Sequence, residues 1–229
     1  VSRINDINAA TPVTFQGCTF RNNEASSFGG AVAFGQSGSI TNVLLTFQGC
    51  IFSNNVAGKK GGALWINTKS LFVIDDCEFI SNQVSFEGEG NALILKDRTT
   101  SIITDTTFVN NGVAGSAIVF EGKSISGLDS IIEFDLVNES SRGMEIRKKG
   151  TIELEGFTFL RCSALGTEFG EGGGIFYHEA ITSNDELVFT LDTCVFHAND
   201  ALNGSALLLN ISTAPEIYGC TFKNHQSGS

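Results

Sequence analysis

Apolar and polar residues alternate along several short stretches of this 229-residue chain. The alternation is clearest just before a cysteine, where apolar residues occupy every second position, as in PVTFQGC, VLLTFQGC, LFVIDDC and LVFTLDTC. A period of two is typical of a β-strand with one buried face, whereas an amphipathic helix repeats every three to four residues. The helical period is not found in any stretch, and we therefore predict an all-β protein built from short strands.

The cysteine and the phenylalanine two positions later form a C-x-F motif that recurs along the chain. The phenylalanine of each motif, or its nearest equivalent, marks a unit at Phe20, Phe52, Phe79, Phe108, Phe134, Phe159, Phe196 and Phe222. Successive markers are roughly 25 to 37 residues apart, a spacing that indicates a solenoid, a propeller or an array. The unit around Phe134 is the least regular one.

Each unit continues with a polar turn and a further apolar strand. An asparagine lies three residues after the phenylalanine in five units. We expect this asparagine to form a turn, because it tolerates left-handed backbone. After a variable loop comes a strand opened by small residues, as in GGAVAF, GGALWI, GNALIL, GSAIVF, GGGIFY and GSALLL.

Units of two or three short strands that differ mainly in loop length predict a parallel β-helix of about seven to eight coils. One coil alone has unpaired edges and cannot bury its inner face, so the coils must stack. A propeller is excluded because each blade needs four strands and about 40 residues. Equivalent residues of stacked coils lie about 4.8 Å apart and form ladders. The predicted ladders contain Cys18, Cys50, Cys77, Cys194 and Cys220; Phe20, Phe52, Phe79, Phe108, Phe159 and Phe196; and Asn23, Asn55, Asn82, Asn111 and Asn199.

The composition agrees with β-structure and restricts the partners. The chain has 26 glycines and 2 prolines, which suits many strands joined by tight turns. Its formal net charge of −11 argues against nucleic acid or an anionic membrane surface, since both require clustered lysine and arginine. No run of about 18 apolar residues is present, so we predict no direct membrane insertion by this segment.

The repeat position of the cysteines determines how we interpret them. Ligands of a tetrahedral zinc ion approach from different directions, whereas a ladder aims its side chains the same way, so we predict no metal site. The even number of cysteines permits disulfides, but we expect reduced, buried thiols that act as small hydrophobic side chains. The glycine-rich EGGGIF lacks the G-K-[ST] of a phosphate loop, and no cofactor is predicted.

No constellation of residues indicates catalysis, and we predict that the protein is not an enzyme. Glycosidases place two carboxyl groups around the scissile bond. The candidates at the outward position two residues before the cysteine are Asp75, Glu155 and Asp192, which we do not expect on adjacent coils. The alternative is a carbohydrate-active β-helix enzyme of the polysaccharide lyase or hydrolase type. That function would require two or three carboxylates to converge in one groove across adjacent coils.

One apolar set is not explained by the predicted core. In the small-residue strands, alternation directs one residue outward between two inward ones. The outward residue is apolar in six units: Ala33, Trp65, Ile94, Val119, Phe176 and Leu208. We predict that these residues form an exposed lateral stripe that contacts other copies, or a cell-surface or matrix protein or glycan. The alternative is that a loop, such as residues 180–187, covers the stripe.

Three N-x-[ST] sequences are candidate N-glycosylation sites, at Asn138, Asn203 and Asn210. Asn203 lies in a predicted loop, which makes it the best acceptor of the three. Glycosylation would agree with an extracellular or cell-surface protein.

The paired motifs F-x-x-N and G-G-A-[ILV] resemble the repeats of the chlamydial polymorphic membrane proteins, and similar repeats in surface proteins of archaea and protists. FRNN with GGAV and FSNN with GGAL match both halves, while FISN with GNAL, FVNN with GSAI and FHAN with GSAL differ by one substitution. The sixth unit departs at FLRC, where Cys162 takes the place of the asparagine. The resemblance implies a right-handed β-helix that serves as a secreted surface passenger or adhesin. We therefore expect one β-helix domain over residues 1–229, a self-assembling segment of a longer extracellular structural protein.

Overall fold

The computed structural model describes residues 2–4, 12–35, 41–85, 88–96, 99–112, 114–122, 124–134, 140–147, 150–164, 172–178, 188–211 and 213–227. Over these residues the chain forms 29 short strands and no helix. In chain order they are β1 (Ser2–Ile4), β2 (Val13–Gln16), β3 (Thr19–Arg21), β4 (Glu24–Ala25), β5 (Val32–Phe34), β6 (Thr41–Gln48), β7 (Ile51–Ser53), β8 (Val56–Ala57), β9 (Leu64–Asn67), β10 (Lys69–Asp75), β11 (Glu78–Ile80), β12 (Gln83–Val84), β13 (Leu93–Lys96), β14 (Thr100–Thr104), β15 (Thr107–Val109), β16 (Ala114–Phe120), β17 (Ser124–Leu128), β18 (Ile131–Glu133), β19 (Ser140–Ile146), β20 (Thr151–Glu155), β21 (Thr158–Leu160), β22 (Ile175–His178), β23 (Val188–Asp192), β24 (Val195–His197), β25 (Asp200–Ala201), β26 (Leu207–Asn210), β27 (Glu216–Tyr218), β28 (Thr221–Lys223) and β29 (Gln226–Ser227).

Most of these strands belong to three parallel sheets of eight strands each. Sheet A contains β1, β5, β9, β13, β16, β19, β22 and β26; sheet B contains β2, β6, β10, β14, β17, β20, β23 and β27; sheet C contains β3, β7, β11, β15, β18, β21, β24 and β28. The chain passes from sheet B through sheet C to sheet A and returns to sheet B one level further along, and we number the coils by their strand in sheet C. The predicted fold class, an all-β parallel β-helix, is confirmed.

The chain turns from sheet B into sheet C at a residue with left-handed backbone. This residue precedes the cysteine position in all eight described coils: Gly17, Gly49, Asp76, Asp105, Asp129, Gly156, Thr193 and Gly219, with φ between 48° and 65°. Glycine and aspartate are the commonest choices, because glycine has no Cβ to clash and aspartate can bond to its own backbone. The bend between sheet B and sheet C is therefore made by the same backbone conformation in every described coil.

The asparagine ladder has a different role from the predicted one. The left-handed residues after the phenylalanine position are Asn22, Asn54, Ser81, Asn110, Arg161, Ala198 and Asn224, one residue before the predicted turn asparagines. The prediction that Asn23, Asn55, Asn82, Asn111 and Asn199 adopt the left-handed backbone is therefore wrong. Their amide side chains instead point inward and join neighbouring coils by hydrogen bonds.

Asn82 illustrates these bonds. Its Oδ1 accepts hydrogen bonds from the backbone N–H of Asn55 at 3.0 Å and from Asn55 Nδ2 at 2.8 Å. Its Nδ2 donates to the Phe52 carbonyl at 2.8 Å and to Asn111 Oδ1 at 3.0 Å. One buried side chain thereby satisfies polar groups of the coils before and after its own, which buried polar groups require.

The phenylalanines stack as predicted, with one interruption. Ring centroids are 4.8 Å apart for Phe20 and Phe52, and 4.6 Å for Phe52 and Phe79. In the fifth coil the register places Ile132 in line with Phe108 and Phe159, so Phe134 is the wrong marker for that unit. Phe134 is buried two residues further along.

All six cysteines are free. Cys50, Cys77, Cys162 and Cys194 are buried, and Cys18 and Cys220 in the first and last coils are half-buried. Burial raises the pKa of the Cys77 and Cys194 thiols to about 12, so both are neutral at physiological pH. These thiols pack in the core as small hydrophobic groups.

Candidate functional site

The predicted lateral stripe on sheet A is not an exposed surface. Its residues do lie side by side on the outer face of the sheet, since Ala33 pairs with Trp65, Trp65 with Ile94, and Ile94 with Val119. These four side chains are buried and form a small cluster of their own, separate from the main core. Of the two alternatives, exposure is therefore wrong for these four residues, and their burial agrees with the alternative that loops cover the stripe.

The other two stripe residues agree with this correction. Phe176 is buried, and Leu208 in the seventh coil is half-buried. Alternation correctly placed these residues outside the coil but could not say whether the chain covers them. The first four stripe residues thus form a second, smaller core, which Phe176 and Leu208 do not join.

Loops of the first three coils supply a cover for this second core. The Phe28 ring stacks on Trp65 with centroids 5.0 Å apart and an interplanar angle of 17°. Phe28, Lys60 and Glu89 also line up across three coils through isolated parallel bridges. The loop at 180–187, the candidate cover predicted from the sequence, lies outside the described residues.

A carboxylate continues the stripe in the fifth coil. Strand pairing places Glu145 between Val119 and Phe176 on the outer face of sheet A. Sequence reasoning assigned no stripe residue to this irregular unit. Aligning its GMEI segment with the GGAV-type strands would have found Glu145.

Glu145 is held by two arginines and a serine. Its Oε2 lies 3.1 Å from Arg142 Nη1 and accepts a hydrogen bond of 3.0 Å from the Ser116 hydroxyl. Its Oε1 lies 2.7 Å from Arg147 Nε. The Arg142 guanidinium also lies over the Phe176 ring, 4.6 Å from the centroid, a cation–π contact that joins the fifth and sixth coils.

Arg147 gathers carboxylates from three successive coils. Besides Glu145, its Nη1 lies 2.6 Å from a carboxylate oxygen of Glu89 and 3.4 Å from one of Glu121. Glu89 is paired in addition with Lys60, and Glu121 with Lys96 at 2.9 Å. We call these residues, together with Arg142, the ion cluster. It links the second to the fifth coil along the outside of sheet A.

The electrostatics of the ion cluster favour ionised carboxylates. Burial alone would raise the pKa of Glu145, but the bond and charge of Arg147, with Arg142 and Ser116, outweigh burial and lower it. The pKa of Glu89 is lowered in the same way, against its burial, by Lys60 and Arg147. A general acid needs a carboxyl group that is still protonated near its working pH. Neither Glu89 nor Glu145 suits that role.

Comparison with known proteins identifies the family of the chain. A family model described as the right-handed beta helix region matches residues 4–159, more than half of the chain. The chain belongs to the right-handed β-helix family. No curated protein and no solved structure matches it.

From the ion cluster we predict that the right-handed β-helix loses folding stability in acid. Because the pKa of Glu145 and of Glu89 is lowered on folding, their contribution to stability is complete above the unfolded-state value of about 4.3. It is lost as the pH falls through the lower, folded-state values. We expect Glu145→Gln to reduce the free energy of unfolding at neutral pH by about 3 kcal/mol, because it leaves buried charges without their partner.

Urea denaturation followed by circular dichroism, at neutral pH and at successive pH values below about 4.3, measures both effects. We expect the Glu145→Gln variant to lose less stability on acidification than the wild type. Glu153→Gln, on the exposed outer face of sheet B, is the matched control and should keep the wild-type acid slope. Equal acid slopes for the wild type and Glu145→Gln would contradict the assigned role.

Sheet B carries a second row of polar residues on the outside of the β-helix. Gln16, Gln48, Asp75 and Thr104 are joined by side-chain hydrogen bonds of 3.5, 3.1 and 2.7 Å. Further along this row, Glu155 pairs in register with Asp192. The expectation that the outward carboxylates avoid adjacent coils is therefore wrong for this pair, although Asp75 does lie three coils away.

The outer face of sheet B also exposes aliphatic side chains of the β-helix. Leu44 and Leu71 are in register and 38% and 36% exposed, respectively. In the adjacent outward row, Val73 and Ile102 are in register and half-buried. We call these four residues the sheet B patch. Unlike the sheet A stripe, this patch presents apolar side chains to solvent on the side of the described coils.

The remaining candidate sites can be placed in part. Asn203 is exposed in a loop and Asn210 is exposed at the end of β26, while Asn138 lies outside the described residues. Among the described residues, no group of three or more histidine, cysteine, aspartate or glutamate side chains is placed to hold a metal ion. The part of the chain that the structure describes contains no helix of the length and apolarity that crossing a membrane requires.

Proposed function

We propose that this right-handed β-helix is a non-enzymatic structural and adhesive module at the cell surface, similar in role to the polymorphic membrane protein-type surface proteins. It contacts a cell-surface or matrix protein or glycan through the sheet B patch and the loops around it. The rod presents its ladders inward and the patch outward, so the fold supplies a rigid support for a lateral contact surface.

The sheet B patch is the observation that carries this proposal. Its aliphatic side chains lie together over three coils on a regular sheet face, flanked by the uncharged Thr46 and Thr100. Contiguous exposed apolar groups with a polar border are typical of contact surfaces. Exposed Asn203 and Asn210 are acceptors for the glycans of a secreted surface protein.

Binding to arrays of extracellular-matrix proteins and glycans tests the proposal. We expect the wild-type chain to bind a subset of the array, and Leu44→Lys with Leu71→Lys to weaken that binding about tenfold or more, as loss of a central apolar contact does. Val188→Lys is the matched control, because Val188 is equally exposed in the same outward row but lies in the seventh coil. Equal binding by the Leu44/Leu71 variant and the wild type would exclude the patch.

A carbohydrate-active enzyme is the second candidate, favoured by the neighbouring carboxylates of Glu155 and Asp192 on adjacent coils. Incubation with a panel of neutral and acidic polysaccharides, assayed for new reducing ends and for unsaturated uronates, separates the two candidates. We expect no turnover. Turnover that is abolished by Glu155→Gln or Asp192→Asn would replace the adhesive function by an enzymatic one.

A further inference from the structure

A row of aspartates lies at the corner between sheet B and sheet C. Asp76, Asp105 and Asp129 are the left-handed bend residues of the third, fourth and fifth coils, and all three are exposed. The backbone N–H of each donates to a carbonyl of the next coil along. The row therefore follows the stacking of the coils, about 4.8 Å per level. We call these three residues the acidic row.

The bend itself does not require the charge of the acidic row. Glycine makes the same bend at Gly49 and Gly156, and asparagine adopts the left-handed backbone at Asn54 and Asn110. Glycine and asparagine are uncharged, whereas equal charges on adjacent coils repel one another. Within the described part of the chain, no lysine or arginine forms an ion pair with the acidic row. The charge of the row is therefore available to a partner.

The acidic row borders the sheet B patch. Val73 of the patch lies three residues before Asp76, and Ile102 lies three residues before Asp105. Asp75, which faces outward between the patch and the corner, adds a further carboxylate to this border. The border and the patch overlap in the third and fourth coils, so one partner can contact both.

We propose that this side of the β-helix binds a cationic protein surface, on which lysine or arginine side chains border exposed aliphatic ones. The inference rests on the proposed function, since it names the partner of the sheet B patch. Aliphatic groups of the partner cover the patch, and its basic groups pair with the acidic row. A partner strand lying along β10 fits, because its residues i, i+2 and i+4 advance by about 6.7 Å each and would face Leu71, Val73 and Asp75 in turn.

Charge complementarity selects this partner over others. The chain carries a formal net charge of −11. A second copy or an anionic glycan would therefore meet the acidic row with charge of the same sign. Opposite charges across an interface steer the encounter and suppress wrong partners. Salt screens this attraction, so binding should weaken as the ionic strength rises.

Fluorescence anisotropy with synthetic peptides tests the proposal. The leucine–lysine peptide carries leucines followed by lysines on one strand face and serines on the other. In the leucine–glutamate peptide glutamates replace the lysines, and in the serine–lysine peptide serines replace the leucines. At low ionic strength we expect the wild-type chain to bind the leucine–lysine peptide about tenfold or more tightly than either of the others.

Two substitutions in the acidic row remove charge and keep the bends. Asp76→Asn together with Asp105→Asn should fold normally, since asparagine tolerates left-handed backbone. We expect this variant to bind the leucine–lysine peptide about fivefold more weakly, the effect of losing two exposed ion pairs, and with a smaller dependence on salt. Glu24→Gln with Glu153→Gln is the matched control. It removes the same charge from exposed positions of the first and sixth coils and should bind like the wild type.

Two outcomes would overturn the proposal. One is that the leucine–lysine peptide binds no better than the leucine–glutamate peptide, or that neither binds. The other is unchanged binding by the Asp76/Asp105 variant. Leu44→Thr with Leu71→Thr distinguishes either failure from failure of the proposed function. If this uncharged variant loses binding to the matrix array, the sheet B patch is still a contact surface, but for a partner of different charge.

Discussion

Gly62→Ala is expected to lower the free energy of unfolding by about 4 kcal/mol or more, an effect at the severe end for single substitutions. A Cβ placed on Gly62 would lie 2.0 Å from the Asn91 carbonyl oxygen and 2.6 Å from that of Gln83. Both atoms belong to the backbone of the next coil and cannot rotate away. The coils would have to separate, and the hydrogen bonds from the Gly62 and Ala63 N–H groups to that coil would be lost with them.

Gly49→Ala is the matched control for this experiment. Gly49 lies in the same coil and has a left-handed φ of 58°, but a Cβ placed on it would have its nearest neighbouring atom 4.0 Å away. Alanine there should cost only the left-handed backbone, about 1 kcal/mol. Chemical denaturation followed by circular dichroism measures both variants. Similar losses for the two variants would show that close approach of the coils does not make Gly62 essential.

Asn82→Leu is expected to lower the free energy of unfolding by about 3–5 kcal/mol, because a leucine of similar size removes every polar group of the side chain. The backbone N–H and the Nδ2 of Asn55 would lose their shared acceptor. The Phe52 carbonyl and Asn111 Oδ1 would lose a donor. These groups are buried between coils, where unsatisfied polar groups are costly.

Ser81→Gly is the control for Asn82→Leu. Ser81 is the adjacent residue and has the left-handed φ of 51°, a conformation that glycine adopts without strain. We expect the free energy of unfolding of the Ser81→Gly variant to equal that of the wild type or to be slightly higher. If Ser81→Gly were as unstable as Asn82→Leu, the left-handed turn rather than the amide ladder would be the important feature at this corner.

The repeated core could be predicted because its signals are local. Alternation identified the strands of sheets B and A, and the C-x-F spacing identified the stacked positions. In the fifth coil the same spacing failed, because Phe134 is a buried residue near the ladder while Ile132 occupies it. One phenylalanine at a plausible distance is not enough to set a register.

The asparagine ladder shows why a correct residue can receive a wrong role. Asparagine is common both in left-handed turns and in buried amide bonds, and these two roles occupy consecutive positions in Asn22 and Asn23, and again in Asn54 and Asn55. The residue type alone cannot show whether a given asparagine forms the turn or the buried amide bonds. The hydrogen bonds between coils, which decide the matter, join residues 27 to 32 positions apart.

The candidate site was less accessible to sequence reasoning than the fold. Period-two alternation states on which side of a strand a residue lies, but cover over Trp65 comes from Phe28, in a loop of another coil. The ion cluster joins residues of four coils that are separated by loops of unequal length. No fixed spacing in the sequence therefore predicts it. Glu145 was missed because its unit departs from the repeat.

The fifth coil lacks both the stacked ring and the thiol of the repeat. Ile132 and Ser130 occupy those two positions, and the ion cluster reaches this coil on the outside of sheet A. The apolar core nevertheless continues through the coil, since Ile132, Phe134 and Met144 are buried. Added electrolyte weakens attraction between charges but not the packing of apolar groups, so the second to fifth coils should respond to ionic strength more than the first.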